Sequence, residues 1–371
     1  VKKVYTIAQH VITGLGHGVE EHFDKMSQHS TGVQLHHNPS VVPEAFTAAL
    51  IEEPYDFTSQ RTRFEHYLIE CVRKAMASAG LDAKDPSTLL IISTTKGNID
   101  LMDGNYAGVD SSRLEFSEMA GFIQKQLKLE HEPIVVSNAC ISGVLSILWA
   151  KRYIERGQYK HVVVAGGDIV SKFTISGFQS FMALSDAPCK PFDANRNGLN
   201  LGEGFAALVL SSDKNDKSTE IVGGASSNDA NHISGPSRTG DGLAIAIDKT
   251  LEGTSGIDFI SAHGTATPFN DAMEAKAIEL CGLQHVPVNS YKGYIGHTLG
   301  AAGVIETVLT IHGMEKNLMP GTLGFETLGV APKIKVQANF QKGAFNAALK
   351  TASGFGGCNA AILIRKEGTC I

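Results

Sequence analysis

The stretch IVVSNACISGVLSILWAKRYIERG, from Ile134 to Gly157, constrains the fold more than any other part of the chain. The apolar β-branched run Ile134, Val135 and Val136 predicts a buried strand of a parallel sheet. After a few small or polar residues the spacing turns helical at Ile141, Val144, Leu145 and Leu148. The helix carries no charge before Lys151, so its N-terminal half is expected to be deeply buried; Arg152 and Arg156 then suit the negative end of its dipole and Gly157 closes it. Cys140 falls at the strand-to-helix junction. A helix start offers unpaired N–H groups and a partial positive charge, which favour a thiolate, and a thiolate is a nucleophile. The plain alternative is a buried, inert thiol.

Strand and helix signals alternate elsewhere too, which predicts an α/β architecture with a largely parallel sheet. Strands are expected at Val4 to Thr13, Leu89 to Ser93, His161 to Gly167 and through LGEGFAALVLSS. Helices are expected at Val19 to Ser27, Thr62 to Ala79 (ended by Gly80) and Gly121 to Leu129, with loops over Ser30 to Pro43 and Thr94 to Met119. The polar run Asp213 to Thr219 marks the boundary between two halves, 1–214 and 215–371. The second half repeats the order: strand Ile221 to Ala225, strand Ile257 to Ala262 ending at His263, helix Asp271 to Cys281, and strand Val286 to Asn289. That last strand leads through SYKGYIGH into a buried helix, TLGAAGVIETVLTIHGM. Strand, tight turn and buried helix is also the arrangement around Cys140.

Several function classes drop out. The formal net charge is -6 and no dense basic tract occurs, so nucleic acid is not an expected partner. The six cysteines (Cys71, Cys140, Cys189, Cys281, Cys358, Cys370) form no C-x-x-C pair, which argues against a metal cluster or disulfide framework and for a reducing compartment. The uncharged run Pro133 to Ala150 barely reaches the length of a membrane span, about 20 residues, and contains Asn, Ser and Pro. A cytoplasmic protein is expected. The early G-L-G-H-G-V lacks the third glycine of a dinucleotide fingerprint, no G-K-[ST] follows any glycine loop, and no G-x-S-x-G occurs. His36 and His37 have no third ligand at metal spacing.

Four features combine into one chemistry: Cys140, His263 in AHGTATP, His297 in KGYIGHTLGAAG, and the Gly354 to Gly357 loop. Acyl transfer to sulfur needs a thiolate and backbone N–H donors for the oxyanion. A carbanion beside a thioester carbonyl needs further donors on that carbonyl, and two neutral imidazoles provide them.

On these motifs, together with NACISG, PFDANRNGLNLGEG and GFGGCNA, the chain resembles the β-ketoacyl-acyl carrier protein synthases of the thiolase-like superfamily, in the elongating Cys-His-His class. The resemblance implies a thiolase-like fold: two similar βαβ-rich halves forming a five-layered αβαβα core, with the cysteine in the first half and both histidines in the second. It implies a decarboxylating Claisen condensation in which Cys140 carries the acyl chain while His263 and His297 hold the malonyl thioester oxygen. The amides of Cys140 and Phe355 would form the oxyanion hole, Phe355 doubling as the gate of the acyl pocket beside Gly356. Lys292 and Glu306 would pair to orient the histidine loop, and Thr265 and Thr267 would bind the pantetheine arm. No metal and no free cofactor are implied, since phosphopantetheine arrives on the acyl carrier protein. That carrier would dock near Arg61 and Arg63. A homodimer is implied, or a heterodimer of polyketide type; a non-catalytic or partner-dependent subunit of such a heterodimer is the competing reading, and Cys140 speaks against it. Compared with the family pattern, the chain is short around Thr94 to Glu132, Ser353 replaces an aromatic residue, and Cys358 replaces a threonine with a structural role expected.

Overall fold

Alternation of side chains along the strands sets the layers of this molecule. The computed structural model describes residues 2–38, 41–53, 55–56, 60–104, 106–216, 218–254 and 256–366, so Cys370 lies outside the described residues. Strands β1 (Tyr5–Thr13), β2 (Thr88–Ser93), β3 (Ile134–Val136), β4 (His161–Asp168) and β5 (Gly204–Ser211) lie in the order β1-β5-β4-β2-β3. The first two pairings are antiparallel and the last two parallel. Strands β6 (Thr219–Asn228), β7 (Phe259–Ser261), β8 (Pro287–Asn289), β9 (Ala347–Gly354) and β10 (Cys358–Lys366) repeat the scheme as β6-β10-β9-β7-β8, antiparallel twice and then parallel twice. The halves join edge to edge through one short antiparallel register, Tyr5 opposite Glu220 and Thr6 opposite Thr219. Strand order therefore displays a duplication that residue identity leaves hidden.

Eight helices of two turns or more complete the described residues: α1 (Val19–Ser27), α2 (Arg63–Ala79), α3 (Phe116–Leu127), α4 (Ser142–Glu155), α5 (Lys172–Ser180), α6 (Asp241–Leu251), α7 (Pro268–Leu280) and α8 (Ala302–Lys316). On β5, Ala206, Leu208 and Leu210 point into one core with α4 and α8, whereas Phe205, Ala207 and Val209 point into another with α2 and α3. On the other sheet, Ala360, Ile362 and Ile364 face α4 and α8, and Ala361 and Leu349 face α6 and α7. The result is helix, sheet, helix, sheet, helix: the five layers the resemblance implies. The central layer is predominantly apolar because both its faces are covered, and α8 buries Val304, Ile305, Val308, Leu309 and Ile311, each contributing about 1.5–3 kcal/mol relative to exposure.

The two central helices cross where both lack a side chain. A methyl group at Gly143 would lie 2.6 Å from the Val304 nitrogen, and one at Gly303 would lie 2.4 Å from the Val144 nitrogen. This close approach brings the N-termini of α4 and α8, and with them Cys140 and the His297 loop, to one place.

Some local expectations change. The helix after Thr62 forms as expected, with a Thr62/Glu65 capping box and a left-handed Gly80. The expected loop over Ser30 to Pro43 contains a strand, Val33–His36, paired with Phe46–Ala49, because its partner strand supplies the ladder that periodicity alone does not reveal. His36 Nε2–H there donates to the Ala48 carbonyl (3.0 Å). The Thr94 to Met119 region holds two 3₁₀ turns, Ile99–Asp103 and Ser111–Leu114, and α3 begins at Phe116 rather than Gly121. Gly121 sits inside that helix with open space around it, so it does not act as a break. Helix α5 is too short and polar to announce itself, and is nucleated by the Ser171/Thr174 cap.

Candidate active site

Cys140 sits in the turn before α4, following Ala139, whose φ of 43° puts it in the left-handed region. The turn is tied by the Ser142 hydroxyl, which donates to the Ala139 carbonyl (2.6 Å) and accepts from the Asn138 N–H (2.7 Å). Helix α4 starts at Ser142, so Cys140 lies just outside its first turn. Gly354 packs on this turn: a methyl there would be 3.0 Å from the Cys140 nitrogen. The glycine loop thus lies against the Cys140 N–H, with Gly356 and Gly357 at φ 82° and 72°.

His263 follows β7. Its N–H and that of Gly264 donate to the Glu274 carboxylate at 2.8 and 2.6 Å, and Thr265 N–H donates to Asp271 at 3.0 Å. Asp271 and Glu274 stand on one face of the first turns of α7, and sequence reasoning missed both. The available signal is D-x-x-E just after T-P, a helix start whose acids face back onto the preceding loop. His297 is fixed from the other half, its N–H donating to the Asn200 carbonyl (2.7 Å) and its carbonyl accepting from Gly202 N–H (3.0 Å).

The two imidazoles meet edge to face, with centroids 5.0 Å apart at 82°. His297 Nε2 is 3.1 Å from Cys140 Sγ, and the sulfur and one ring nitrogen of each histidine lie within 4.8 Å of one another. All three line a cavity of about 450 Å³ together with Thr265, Thr267 and Phe355. Phe355 stacks on Phe178 (5.8 Å) and meets Phe181 edge-on (5.3 Å) at the mouth. Thr265 and Thr267 share a hydroxyl hydrogen bond of 2.9 Å. Beneath the site Lys292 is fully buried, donating to the Glu306 carboxylate (2.6 Å) and to the His263 carbonyl (2.7 Å). Cys358 Sγ is 3.3 Å from the Phe355 carbonyl, inside the glycine loop.

Electrostatics revise one expectation. Burial pushes the Cys140 thiol up to about 12, and neighbouring Cys358 adds to this, against weaker opposing pulls from Lys292 and Lys96. Burial, then the Lys292 charge, holds both imidazoles well below the ordinary histidine range. At rest the site is a neutral thiol beside two neutral rings, not a thiolate–imidazolium pair. Burial in the cavity wall outweighs the helix start.

Three such ligand atoms are also what a catalytic zinc takes. Metal-bound histidines almost always donate their second N–H to a carboxylate or carbonyl. Here both Nδ1 atoms are buried with no hydrogen-bond partner among the described residues, so the arrangement does not fit a zinc centre.

The two arginines separate. Arg63 is turned inward, with both terminal nitrogens on buried Glu203 (3.0 and 2.9 Å) and one also on the Ile51 carbonyl, so it is not available to a docking partner. Its docking role is withdrawn. Arg61 bonds Gln126 Oε1 through Nε and Nη2 (3.2 and 2.6 Å) on a partly open surface.

A doubled five-layer αβαβα molecule in which the Cys140 turn of one half faces two histidine loops of the other has the thiolase-like fold. Residues 17–216 match Beta-ketoacyl synthase, N-terminal domain, and residues 218–326 match Beta-ketoacyl synthase, C-terminal domain; the chain belongs to the β-ketoacyl synthase family. It is similar to the putative mitochondrial 3-oxoacyl-[acyl-carrier-protein] synthase of Schizosaccharomyces pombe, at 30% identity with 99% of each chain covered. It is also similar to 3-oxoacyl-[acyl-carrier-protein] synthase 2 of Rhizobium meliloti, at 31% identity over 81% of this chain and 80% of the relative. In fold it matches a β-ketoacyl synthase from Burkholderia phymatum, with a TM-score of 0.87 at 24% identity, covering 99% of this chain and 100% of the other. Among the described residues no helix is long and apolar enough to cross a membrane.

Proposed function

We propose that this chain is a 3-oxoacyl-[acyl-carrier-protein] synthase, an acyltransferase that condenses a Cys140-bound acyl chain with malonyl carrier protein in fatty acid or polyketide synthesis. The observation that carries this reading is the 3.1 Å contact between Cys140 Sγ and His297 Nε2, with His263 beside it on the same cavity. In the first half-reaction His297 accepts the thiol proton as sulfur attacks the carrier thioester; the proton then passes to the departing pantetheine thiolate. The Cys140 and Phe355 N–H groups receive the oxyanion. In the second half-reaction malonyl thioester loses its carboxylate as CO₂, and the enolate oxygen is held by N–H groups of His263 and His297, the His297 ring having passed to its Nε2–H tautomer between the two half-reactions. The enolate carbon attacks the acyl carbonyl, and the tetrahedral intermediate expels the Cys140 thiolate, which takes a proton from solvent to return to the resting thiol.

Neutral imidazoles suit both half-reactions, because a neutral ring can accept the thiol proton and, in its other tautomer, donate a hydrogen bond to a developing negative oxygen. Lys292 and Glu306 keep the His263 turn in place, Thr265 and Thr267 take the pantetheine arm, and Phe355 and Gly356 open and close the acyl entrance. The unit boundary at 214/215, a cytoplasmic setting, a dimer, and a carrier docked near Arg61 belong to the same proposal. It includes no metal and no free cofactor.

Intact mass measurement after mixing with a panel of acyl carrier proteins tests it. The expected result is one acyl adduct, lost in Cys140→Ser, followed by CO₂ release on adding malonyl carrier protein. Absence of both signals with every carrier, alone and with a candidate partner subunit, overturns the reading in favour of a non-catalytic subunit.

A further inference from the structure

A lysine in the middle of a fully covered sheet is a costly residue, and Lys350 on β9 is one. It pairs in register with Ser261 of β7, the strand that ends at His263. Its Nζ lies 3.3 Å from the Ser261 carbonyl and 3.2 Å from the Ala262 carbonyl, and forms an ion pair with Glu306 Oε2. Lys292, from the other side, takes the next carbonyl, that of His263, and the other oxygen of Glu306. Three consecutive carbonyls leading into His263 are therefore held by two ammonium groups that share a single carboxylate. A neutral donor would satisfy two carbonyls as well as an ammonium does, at far lower desolvation cost; what only the lysine supplies is a fixed positive charge beneath the rings.

We propose that Lys350 is a positioning residue for the condensation: its ammonium pins the strand end that carries His263 and anchors Glu306, which Lys292 grips from the other side. The charged groups around it are Glu306, Lys292 and Glu274; those around the rings are Lys292, Lys350 and Lys96, with the neutral, titratable Cys140 thiol beside them. Lys350 adds to the charges that hold both histidines below their ordinary range, and burial keeps its own ammonium lowered but paired. The inference goes beyond the Lys292–Glu306 pair and rests on the decarboxylation role proposed for His263.

The test compares wild type with Lys350→Ser and with Lys350→Met, which keeps most of the stem and serves where the serine variant does not fold. Acyl transfer to Cys140 is read by mass, CO₂ release by the pre-acylated enzyme is read against pH, and the histidine rings are titrated by NMR. Decarboxylation is expected to fall about 10²-fold, the scale of a displaced reacting group, with acyl transfer much less affected. Removing a cation should move the acid limb of the profile and the ring titrations to higher pH. Methylammonium should restore part of the lost rate in Lys350→Ser, while tetramethylammonium at equal ionic strength, too large for the vacated space, should not. Folded variants with unchanged decarboxylation and ring titrations overturn the inference, as does an equal fall in both half-reactions with no response to methylammonium. A wild-type enzyme that releases no CO₂ with any carrier removes the role given to His263, whereas the ring titrations still judge Lys350 by themselves.

Discussion

Alkylation of Cys140 as a function of pH separates the two forces acting on its sulfur. Raising the thiol from its ordinary value to about 12 corresponds to about 4 kcal/mol against ionisation, at about 1.36 kcal/mol for each tenfold change. A helix start returns about 0.3–1 kcal/mol, reaching roughly 2 in favourable buried geometry, and Cys140 lies outside the first turn of α4. Burial therefore prevails. At pH 8 the thiolate fraction is then roughly 10⁻⁴, against about a quarter for a free cysteine near 8.5. The assay is the pseudo-first-order rate of iodoacetamide addition, followed by intact mass from about pH 6 to about pH 10. The logarithm of the rate should climb with unit slope and no plateau. His297→Ala should leave that slope alone yet lower acyl transfer from the carrier by about 10²–10⁴-fold, the usual contribution of a positioned base. A plateau below pH 8 in wild type would mean a preformed thiolate–imidazolium pair and refute the argument.

Four further outcomes follow from the same geometry. Because both histidines sit well below their ordinary value when folded, the unfolded chain takes up protons first as pH drops through about 6.5; thermal stability should decline there, less steeply in His263→Gln, and an identical decline in the variant would contradict the burial argument. Gly303→Ala should cost about 1–3 kcal/mol in a denaturant titration, since its methyl would press on the Val144 nitrogen; a variant as stable as the parent would remove the crossing as a constraint. Arg63→Ala strands the buried Glu203 carboxylate and should cost about 3–5 kcal/mol, whereas Arg61→Glu should leave stability nearly intact and raise the apparent KM for carrier substrate. Prolonged chelation should leave condensation unchanged, and a loss restored by zinc would overturn the metal-free assignment.

Periodicity made the layered core legible, because strands covered on both faces read as runs of Val, Ile and Leu, and because α8 and the N-terminal half of α4 are mostly apolar on every side. That Cys140, His263 and His297 belong to one site was legible through their motifs, and the fold brings the three side chains together on one cavity. What stayed hidden lies in contacts between segments far apart in the chain. Val33–His36 becomes a strand only beside Phe46–Ala49. Glu274 and Lys350 look like ordinary helix and strand charges until β7, β9 and α7 bring them together behind His263. Arg63 reads as a surface cation on the helix α2 face, and only the fold reveals Glu203 waiting for it. The Cys140 thiol was misjudged because local sequence reports a nearby dipole but not how completely the surrounding layers exclude water.

The crossing at Gly143 and Gly303 carries a consequence for how such a molecule can change. Two missing methyl groups act as the spacer that decides how near the sulfur of one repeat comes to the ring of the other. The entrance aromatics Phe178, Phe181 and Phe355 pack on one another instead. The separation of the reacting atoms is inherited from main chain resting on main chain, and a lineage that thickened either side of that contact would have to rebuild its chemistry from the scaffold outward.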